Sequence, residues 1–231
     1  MHIEGIVFDF DGLILDTETP VFQAWQEVFL PYGVELPLAE WSAAIGASLE
    51  SFDPVTYLKM KTGKIIDEEK IRAFHSRRSL ELVSSQDVLP GVIQYLDNAL
   101  EFGLKIGLAS SSDRAWVMDH LTQFDLVHYF DVICTLEDVR QVKPNPELYQ
   151  KAVASLGLMP GQAVAFEDAP NGILAAKRAG LYCVAVPNAT TRPLDFSAAD
   201  LVLESFCQMP LDKTLASLNH QRNNQEEVHA G

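Results

Sequence analysis

Two aspartates, Asp9 and Asp11, stand where carboxylates could do chemistry. They lie in the sequence IVFDFDG, an apolar run rich in β-branched and aromatic residues that ends at Gly12. Such a run predicts a buried strand meeting a loop, and an unpaired charge buried there would be costly. Residues i and i+2 of a strand point to the same face. Both carboxylates can therefore reach one small volume beyond the strand's C-terminal end, where open α/β sheets bind ligands.

Three further predicted strands lead to polar side chains: Ser110-Ser111-Ser112, Lys143 and Glu167-Asp168. Mg²⁺ takes hard oxygen ligands, helix N-termini favour anions, and an aspartate can act as a nucleophile and form an acyl-phosphate. The set therefore fits a phosphoryl group bound beside a Mg²⁺ ion. The metal and the lysine would offset the repulsion between an anionic nucleophile and an anionic substrate.

The order of the predicted elements would bring these residues together. After the first strand, strands are predicted at 104–110, 131–135, 163–167, 182–186 and 201–203, with helices between most of them. This alternation predicts an α/β fold with a parallel sheet and right-handed crossovers.

One segment interrupts the sheet pattern. Residues 17–86 show helical patterns alone, so they are predicted to be inserted above the strand ends as a lid. The sheet domain then consists of residues 1–16 and 87–231, and its polar end, about 213–231, is expected to be a frayed tail.

The composition argues against several classes of protein. A net charge of −15 over 231 residues argues against a nucleic-acid-binding face and against attraction to anionic membranes. The start, MHIEGIVFDF, predicts neither a signal peptide nor a membrane span. Three widely spaced cysteines without a CxxC pair fit reduced thiols in a cytoplasmic protein, and a monomer is the default expectation.

Together the motifs resemble those of the haloacid dehalogenase superfamily: DxDGxxxDT, a strand-end serine, KPxPE, and ED followed by GI. The resemblance covers about residues 3–206 and is specific because four motifs occur in order, each at a predicted strand end. The sequence is similar to the subfamily with a helical cap after the first motif, which holds β-phosphoglucomutases and small sugar-phosphate phosphatases. This implies a Rossmann-like core, an inserted α-helical cap, Mg²⁺, and a small phosphorylated substrate.

The resemblance also implies roles for individual residues. Asp9 matches the nucleophile, and Asp11 matches the general acid/base that protonates the leaving oxygen and later activates water. Ser110 matches the hydroxyl that holds the phosphoryl group, with Ser111 assisting. Lys143 matches the lysine that ties nucleophile to phosphate.

The implied metal ligands belong to the first and last motifs. Asp168 matches the metal-binding carboxylate, with Glu167 as an accessory, and Asp9 and Asp11 complete the set, Asp11 through its backbone carbonyl. Ser112 is expected to begin a helix instead of touching substrate.

Two departures favour a phosphatase over a mutase. Val21 stands where β-phosphoglucomutases have a hinge histidine, and the stretch 46–49, GASL, lacks the arginine of their cap loop. Seven basic residues against three acidic ones between Lys59 and Arg78 could steer an anion, although a solvated helix face is the favoured interpretation. A sugar phosphomutase and a catalytically inactive phosphate-binding module remain the alternatives.

Overall fold

The computed structural model describes residues 2–47 and 52–218. Within them a parallel sheet has the strand order β3-β2-β1-β4-β5-β6. Its strands are β1 (Gly5–Phe8), β2 (Lys105–Ala109), β3 (Val132–Cys134), β4 (Ala163–Glu167), β5 (Tyr182–Ala185) and β6 (Leu201–Val202). Strands β1 to β3 are added in one direction across the sheet, and strands β4 to β6 are added in the opposite direction, starting beside β1. The boundary between β1 and β4 is therefore the topological switch point, where α/β sheets bind ligands.

The register of β1 sets the level of the strand ends. Phe8 pairs with Leu108 on β2 and with Phe166 on β4, and every residue of β1 is buried. Side chains that follow these three strands therefore emerge at one edge of the sheet, which confirms the predicted parallel arrangement.

Helices cover both faces of the sheet and form the inserted segment. They are α1 (Glu18–Phe29), α2 (Leu38–Ala47), α3 (Pro54–Thr62), α4 (Glu68–Val83), α5 (Val92–Glu101), α6 (Arg114–Gln123), α7 (Glu147–Ser155) and α8 (Pro170–Arg178), and residues 211–218 are also helical. None of the helices described is long and apolar enough to cross a bilayer.

Alternate strand residues build two separate apolar layers, as the two-residue repeat of a strand requires. Ile6 and Phe8 pack with residues of α5, α6 and the helix at 211–218. Val7 points the other way and packs with residues of α7 and α8. The sheet is thus enclosed between helices on both faces, and the Rossmann-like α/β fold is confirmed.

The inserted segment has an apolar cluster of its own around Trp25, Phe29, Trp41 and Leu58. Helix α1 packs along α4, where the His75 ring stacks on Trp25 with centroids 3.9 Å apart. This separate cluster is consistent with a helical cap beside the sheet core, and the bounds 17–86 stay a prediction, since Val83 packs with the core.

The chain remains helical past the point where a frayed tail is predicted to begin. Within 211–218, Leu211 and Leu218 are buried, and the Thr214 hydroxyl lies 2.7 Å from the Tyr95 hydroxyl. Leu211, Thr214 and Leu218 recur at helical spacing and form one face against the core. Residues 213–218 therefore belong to the core, and 219–231 lie outside the described residues.

Candidate active site

A lysine joins two of the acidic strand ends. Lys143 Nζ donates to Asp9 Oδ1 at 2.5 Å and to Glu167 Oε1 at 2.6 Å, and all three side chains are nearly inaccessible to solvent. The backbone N–H of Asp9 donates to the Phe166 carbonyl at 3.0 Å, which extends the β1–β4 pairing by one residue. The loop after β3 thus returns over the sheet edge and places an ammonium between two carboxylates.

Burial and repulsion between like charges set the pKa values here. Burial, aided by the charge of Glu167, raises the pKa of Asp9 to about 8 although Lys143 acts against it. Burial and the charges of Asp9 and Glu167 likewise hold the pKa of Asp168 well above its usual value. For Lys143, burial acts to lower the pKa, but the two neighbouring carboxylates hold it above its usual range. One ammonium does not balance these acids, so a further cation would favour their ionised forms.

Three carboxylates could hold that cation. Ligand oxygens of Asp9, Glu167 and Asp168 all lie within 4.8 Å of one another, and the three residues are buried. A set of hard oxygen donors with surplus negative charge fits a divalent ion of the Mg²⁺ type. Among the described residues the Asp11 side chain lies outside this group, so the predicted contribution of Asp11 would be through its backbone carbonyl.

Glu167 is more than an accessory in this geometry. Its Oε1 accepts from Lys143 and also from the Tyr149 hydroxyl. A buried carboxylate is retained at low cost when charged and hydrogen-bonded partners surround it. Glu167 therefore holds the lysine in place and also belongs to the candidate metal group.

Asp11 is oriented by three side-chain donors. Ser112 Oγ and Ser110 Oγ donate to its Oδ2 at 2.6 Å and 3.3 Å, and Trp116 Nε1 donates to its Oδ1 at 2.9 Å. Sequence reasoning missed Ser112 and Trp116 because a serine beside a helix start and an aromatic residue on a helix have common structural explanations. Asp113 is the residue that caps α6.

The serines after β2 occupy different depths. Ser110 is fully buried, and its hydroxyl accepts the Ser112 N–H at 3.0 Å. Ser111 is exposed and lines the cavity together with Ser112. The structure thus places Ser110 behind the wall formed by its two neighbours, and the role of Ser110 in holding a phosphoryl group stays a prediction.

A cavity of about 640 Å³ lies over the strand ends and beneath the cap. Its floor contains the acids and Lys143, whereas Val21, Trp41 and Ile45 supply apolar surface from the cap. Lys143 is the single cation among the lining residues that the structure describes. The acids of the floor outnumber this lysine, so a bound anion would meet one ammonium and would need a further cation beside it.

Comparison with known proteins assigns the chain. The profile of the haloacid dehalogenase-like hydrolase family matches residues 6–186. The chain belongs to this hydrolase family. It is 47% identical over 219 residues to "Putative phosphatase YhcW" of Bacillus subtilis, covering 95% of this chain and 99% of that one. It is 32% identical over 190 residues to the phosphorylated carbohydrates phosphatase of Thermotoga maritima, covering 78% and 82%.

A solved structure extends the likeness to the fold. The β-phosphoglucomutase of Clostridium difficile superposes with a TM-score of 0.71 at 27% identity, covering 94% of this chain and 98% of the mutase. Together with the phosphatase relatives, the family match identifies this chain as a hydrolase with relatives named for phosphoryl chemistry.

One lining residue of this hydrolase was not singled out from the sequence. Glu18, in the first turn of α1, lines the cavity, and burial with the charges of Asp11 and Asp16 raises its pKa to about 7. An acidic residue in the first turn of a helix is commonly explained by its interaction with the helix dipole. For this reason the sequence alone does not mark Glu18 as a cavity residue. Its position directly after the DT of the first motif was the available signal.

The structure also places the residues that separate phosphatases from mutases. Val21 lines the cavity, and its carbonyl lies 3.2 Å from His75 Nε2. Gly46 and Ala47 are the last residues of α2, whereas Ser48 and Leu49 lie outside the described residues.

The basic stretch of the cap lies away from the cavity lining. Lys59 and Arg72 pair with Glu68 and Asp53 at the surface, and Arg78 pairs with Glu27. This supports the interpretation of the stretch as a solvated, ion-paired helix surface.

Proposed function

We propose that this hydrolase is a Mg²⁺-dependent phosphatase that cleaves a small phosphorylated metabolite, most simply a sugar monophosphate, through an aspartyl-phosphate on Asp9. The observation that carries the proposal is the Lys143 ammonium, which is bound to Asp9 Oδ1 at the floor of the cavity beneath the cap. It places a cation beside the carboxylate that would attack phosphorus.

In this proposal Asp9 carries out the first step. An Asp9 oxygen attacks phosphorus while the ester oxygen leaves, and Lys143 stabilises the charge on the nucleophile and the phosphoryl oxygens. A divalent cation held by Asp9 and Asp168, with Glu167 adjacent, would supply further positive charge against the phosphoryl group. Ser111 and Ser112 offer hydroxyls at the cavity wall, and Ser110 supports them from behind.

Asp11 carries the proton transfers in this proposal. Its carboxyl gives a proton to the leaving oxygen and later takes one from the water that cleaves the aspartyl-phosphate. The donors Ser112 and Trp116 hold both of its oxygens, so the group is oriented before substrate binds. General acid–base catalysis of this kind contributes about 10²–10⁴-fold in rate.

The cavity favours a substrate with one phosphoryl group and an uncharged, hydroxyl-bearing remainder. Lys143 is the sole cation among its described lining residues, and the neighbouring cap stretch 38–58 contains no Lys, Arg or His. A second phosphate beneath the cap would face Glu18 and apolar side chains. The relatives named for phosphorylated carbohydrates support the sugar-phosphate assignment.

A sugar phosphomutase is the second candidate, because the fold resembles that of a β-phosphoglucomutase. A mutase must hold a bisphosphate intermediate and keep water from the aspartyl-phosphate. Val21 and the absence of a cation from 38–58 remove two groups suited to those tasks, so hydrolysis is the better supported outcome.

The test measures inorganic phosphate released from hexose and hexitol monophosphates, their bisphosphates and nucleotides, with Mg²⁺ and with chelator. We expect Mg²⁺-dependent release concentrated on sugar monophosphates, and Asp9→Asn should reduce it by at least about 10³-fold. Asp97→Asn, an exposed substitution remote from the cavity, is the matched control. An active Asp9→Asn protein would refute the mechanism, and isomerisation of a monophosphate on addition of its bisphosphate would establish the mutase.

A further inference from the structure

We propose that Asn188 is a positioning residue that fixes Asp168 for the divalent cation, and that the cap docks on the same turn through Ser42. The inference rests on the proposed metal role of Asp168. It goes beyond the catalytic set because neither Asn188 nor Ser42 lies in any of the sequence motifs.

Asn188 joins two parts of the site. Its Nδ2 donates to Asp168 Oδ2 at 2.8 Å and to the carbonyl oxygen of Gly12 at 3.1 Å. An amide nitrogen has two donor hydrogens, and both are used here on oxygens of two different loops. The residue thereby ties the loop after β1 to the loop after β4.

The other side of the amide is fixed by its own turn. Oδ1 of Asn188 accepts from the N–H groups of Thr190 at 2.9 Å and Thr191 at 3.0 Å, and from the Thr190 hydroxyl at 2.7 Å. Three donors on Oδ1 set the orientation of the amide, so Nδ2 must face Asp168. No other arrangement of an Asn side chain satisfies both sides.

The packing around this contact is tight. Gly12 has φ +77°, and a Cβ there would lie 2.4 Å from Asp168 Oδ2 and 2.7 Å from Asn188 Nδ2. The Asp168 carboxylate and the Asn188 amide therefore lie close against the Gly12 backbone, where no larger residue fits. Asp168 is thus held in one orientation before a cation arrives, which is how partners of metal ligands raise metal affinity.

The cap reaches the same turn. Ser42 on α2 donates from Oγ to the Thr190 carbonyl at 2.6 Å, and both residues are buried. Thr190 therefore bonds Asn188 through its N–H and hydroxyl and bonds the cap through its carbonyl. The four-residue turn 188–191 therefore contacts the cap through Thr190 and contacts Asp168 through Asn188.

The first experiment measures Mg²⁺ affinity by calorimetry and the melting temperature of each metal-free variant. Asn188→Ser keeps a short side-chain oxygen for the N–H groups of residues 190 and 191 but cannot reach Asp168 or Gly12. We expect its Mg²⁺ dissociation constant to rise about 10- to 100-fold. Thr191→Val is the control, since it removes the hydroxyl that accepts the Asn188 N–H and leaves Nδ2 in place; we expect a change below about twofold.

The two readouts separate positioning from simple support of the turn. If Asn188→Ser and Thr191→Val lose melting temperature and Mg²⁺ affinity in the same proportion, the turn alone matters and the inference is wrong. Asn188→Ala, which removes both sides of the amide, should bind Mg²⁺ no better than Asn188→Ser. Unchanged Mg²⁺ affinity in the serine or alanine variant overturns the inference alone, whereas a wild-type protein that fails to bind Mg²⁺ overturns the proposed function as well.

A second experiment tests the docking of the cap. Ser42→Ala should weaken Mg²⁺ binding about threefold in the wild-type background and have almost no effect in the Asn188→Ser background, because the coupling runs through Asn188. Equal effects in both backgrounds would show that Ser42 and Asn188 act independently and would remove the cap from the proposal.

Discussion

The core wall and the cap wall of the cavity differ in polarity and in how fully their polar groups are hydrogen-bonded. On the core side, buried polar groups are paired: Lys143 bonds two carboxylates, and Asn188 bonds Asp168. On the cap side, Val21, Trp41 and Ile45 make the wall mostly apolar beside Thr17 and Glu18. The Thr17 hydroxyl and the Trp41 indole nitrogen are buried there with no hydrogen-bond partner among the described residues. The polar groups of the core side are paired before substrate binds, whereas the cap side retains unused donors.

The difference separates two requirements of catalysis. Charges that stabilise a transition state act best when they are already oriented, because no energy is then spent on reorganisation during the reaction. Recognition of the remainder of the substrate needs a surface that closes over it and excludes water. In the proposed mechanism, the sheet edge would serve the first requirement and the cap would serve the second.

The largest expected effect comes from breaking the core wall at Gly172. A Cβ at this position would lie 2.0 Å from the carboxylate carbon of Glu167, so Gly172→Ala must displace either α8 or Glu167. We expect a loss of several kcal/mol of unfolding free energy, of the size seen when a buried ion pair is disrupted or a core is overpacked. Urea denaturation and phosphate release measure the two consequences.

Gly161→Ala is the matched control for that substitution. Gly161 is not among the glycines with positive φ, and nothing lies within 4 Å of the position that an added Cβ would take. We therefore expect a change in unfolding free energy within about 0.5 kcal/mol. A Gly172→Ala protein as stable and active as Gly161→Ala would show that Glu167 is not held against α8.

A smaller effect is expected from loosening Asp11. Trp116→Phe removes the indole donor to Asp11 Oδ1 while keeping an aromatic ring. We expect kcat to fall about 10-fold with little change in KM, because the loss of one hydrogen bond to a charged group is worth about 1.5 kcal/mol. Steady-state kinetics on the best sugar monophosphate provides the measurement.

Asp119→Asn, an exposed change on the same helix, should leave kcat within about twofold. An equal fall in kcat for both variants would mean that α6 and not the hydrogen bond matters. A rise in KM without a fall in kcat would place Trp116 in substrate binding instead of in the orientation of Asp11.

The sequence was sufficient to predict the sheet, the cap and the acids at the strand ends, because each depends on local patterns. Hydrophobic periodicity predicted β4 at its observed bounds, and the order of strands and helices predicted a parallel sheet. Contacts between distant segments were harder to predict. Asn188 lies 20 residues after Asp168 and 176 after Gly12, and nothing in the local sequence PNATT reveals that its amide meets both.

The helix at 211–218 shows a related difficulty. Its buried positions are Leu211, Thr214 and Leu218, and a threonine on the inner face weakens the apolar pattern. The hydroxyl of Thr214 is satisfied by Tyr95, 119 positions earlier, which is a tertiary contact that local periodicity does not encode.

The smallest expected effect tests the cap wall at Trp41. If its unpaired indole N–H is reserved for a substrate hydroxyl, Trp41→Phe should raise KM for a sugar monophosphate about three- to tenfold, the worth of one neutral hydrogen bond of about 0.5–1.5 kcal/mol. KM for p-nitrophenyl phosphate, which has no such hydroxyl, should stay within about twofold. The melting temperature of the free protein should not fall through loss of that donor, because removing an unsatisfied buried donor relieves a desolvation cost.

Trp25→Phe, in the apolar cluster of the cap but outside the described cavity lining, should leave both KM values unchanged. If Trp41→Phe raises both KM values equally, Trp41 contributes shape to the cap and not a hydrogen bond, and the contrast between the two walls reduces to one of charge.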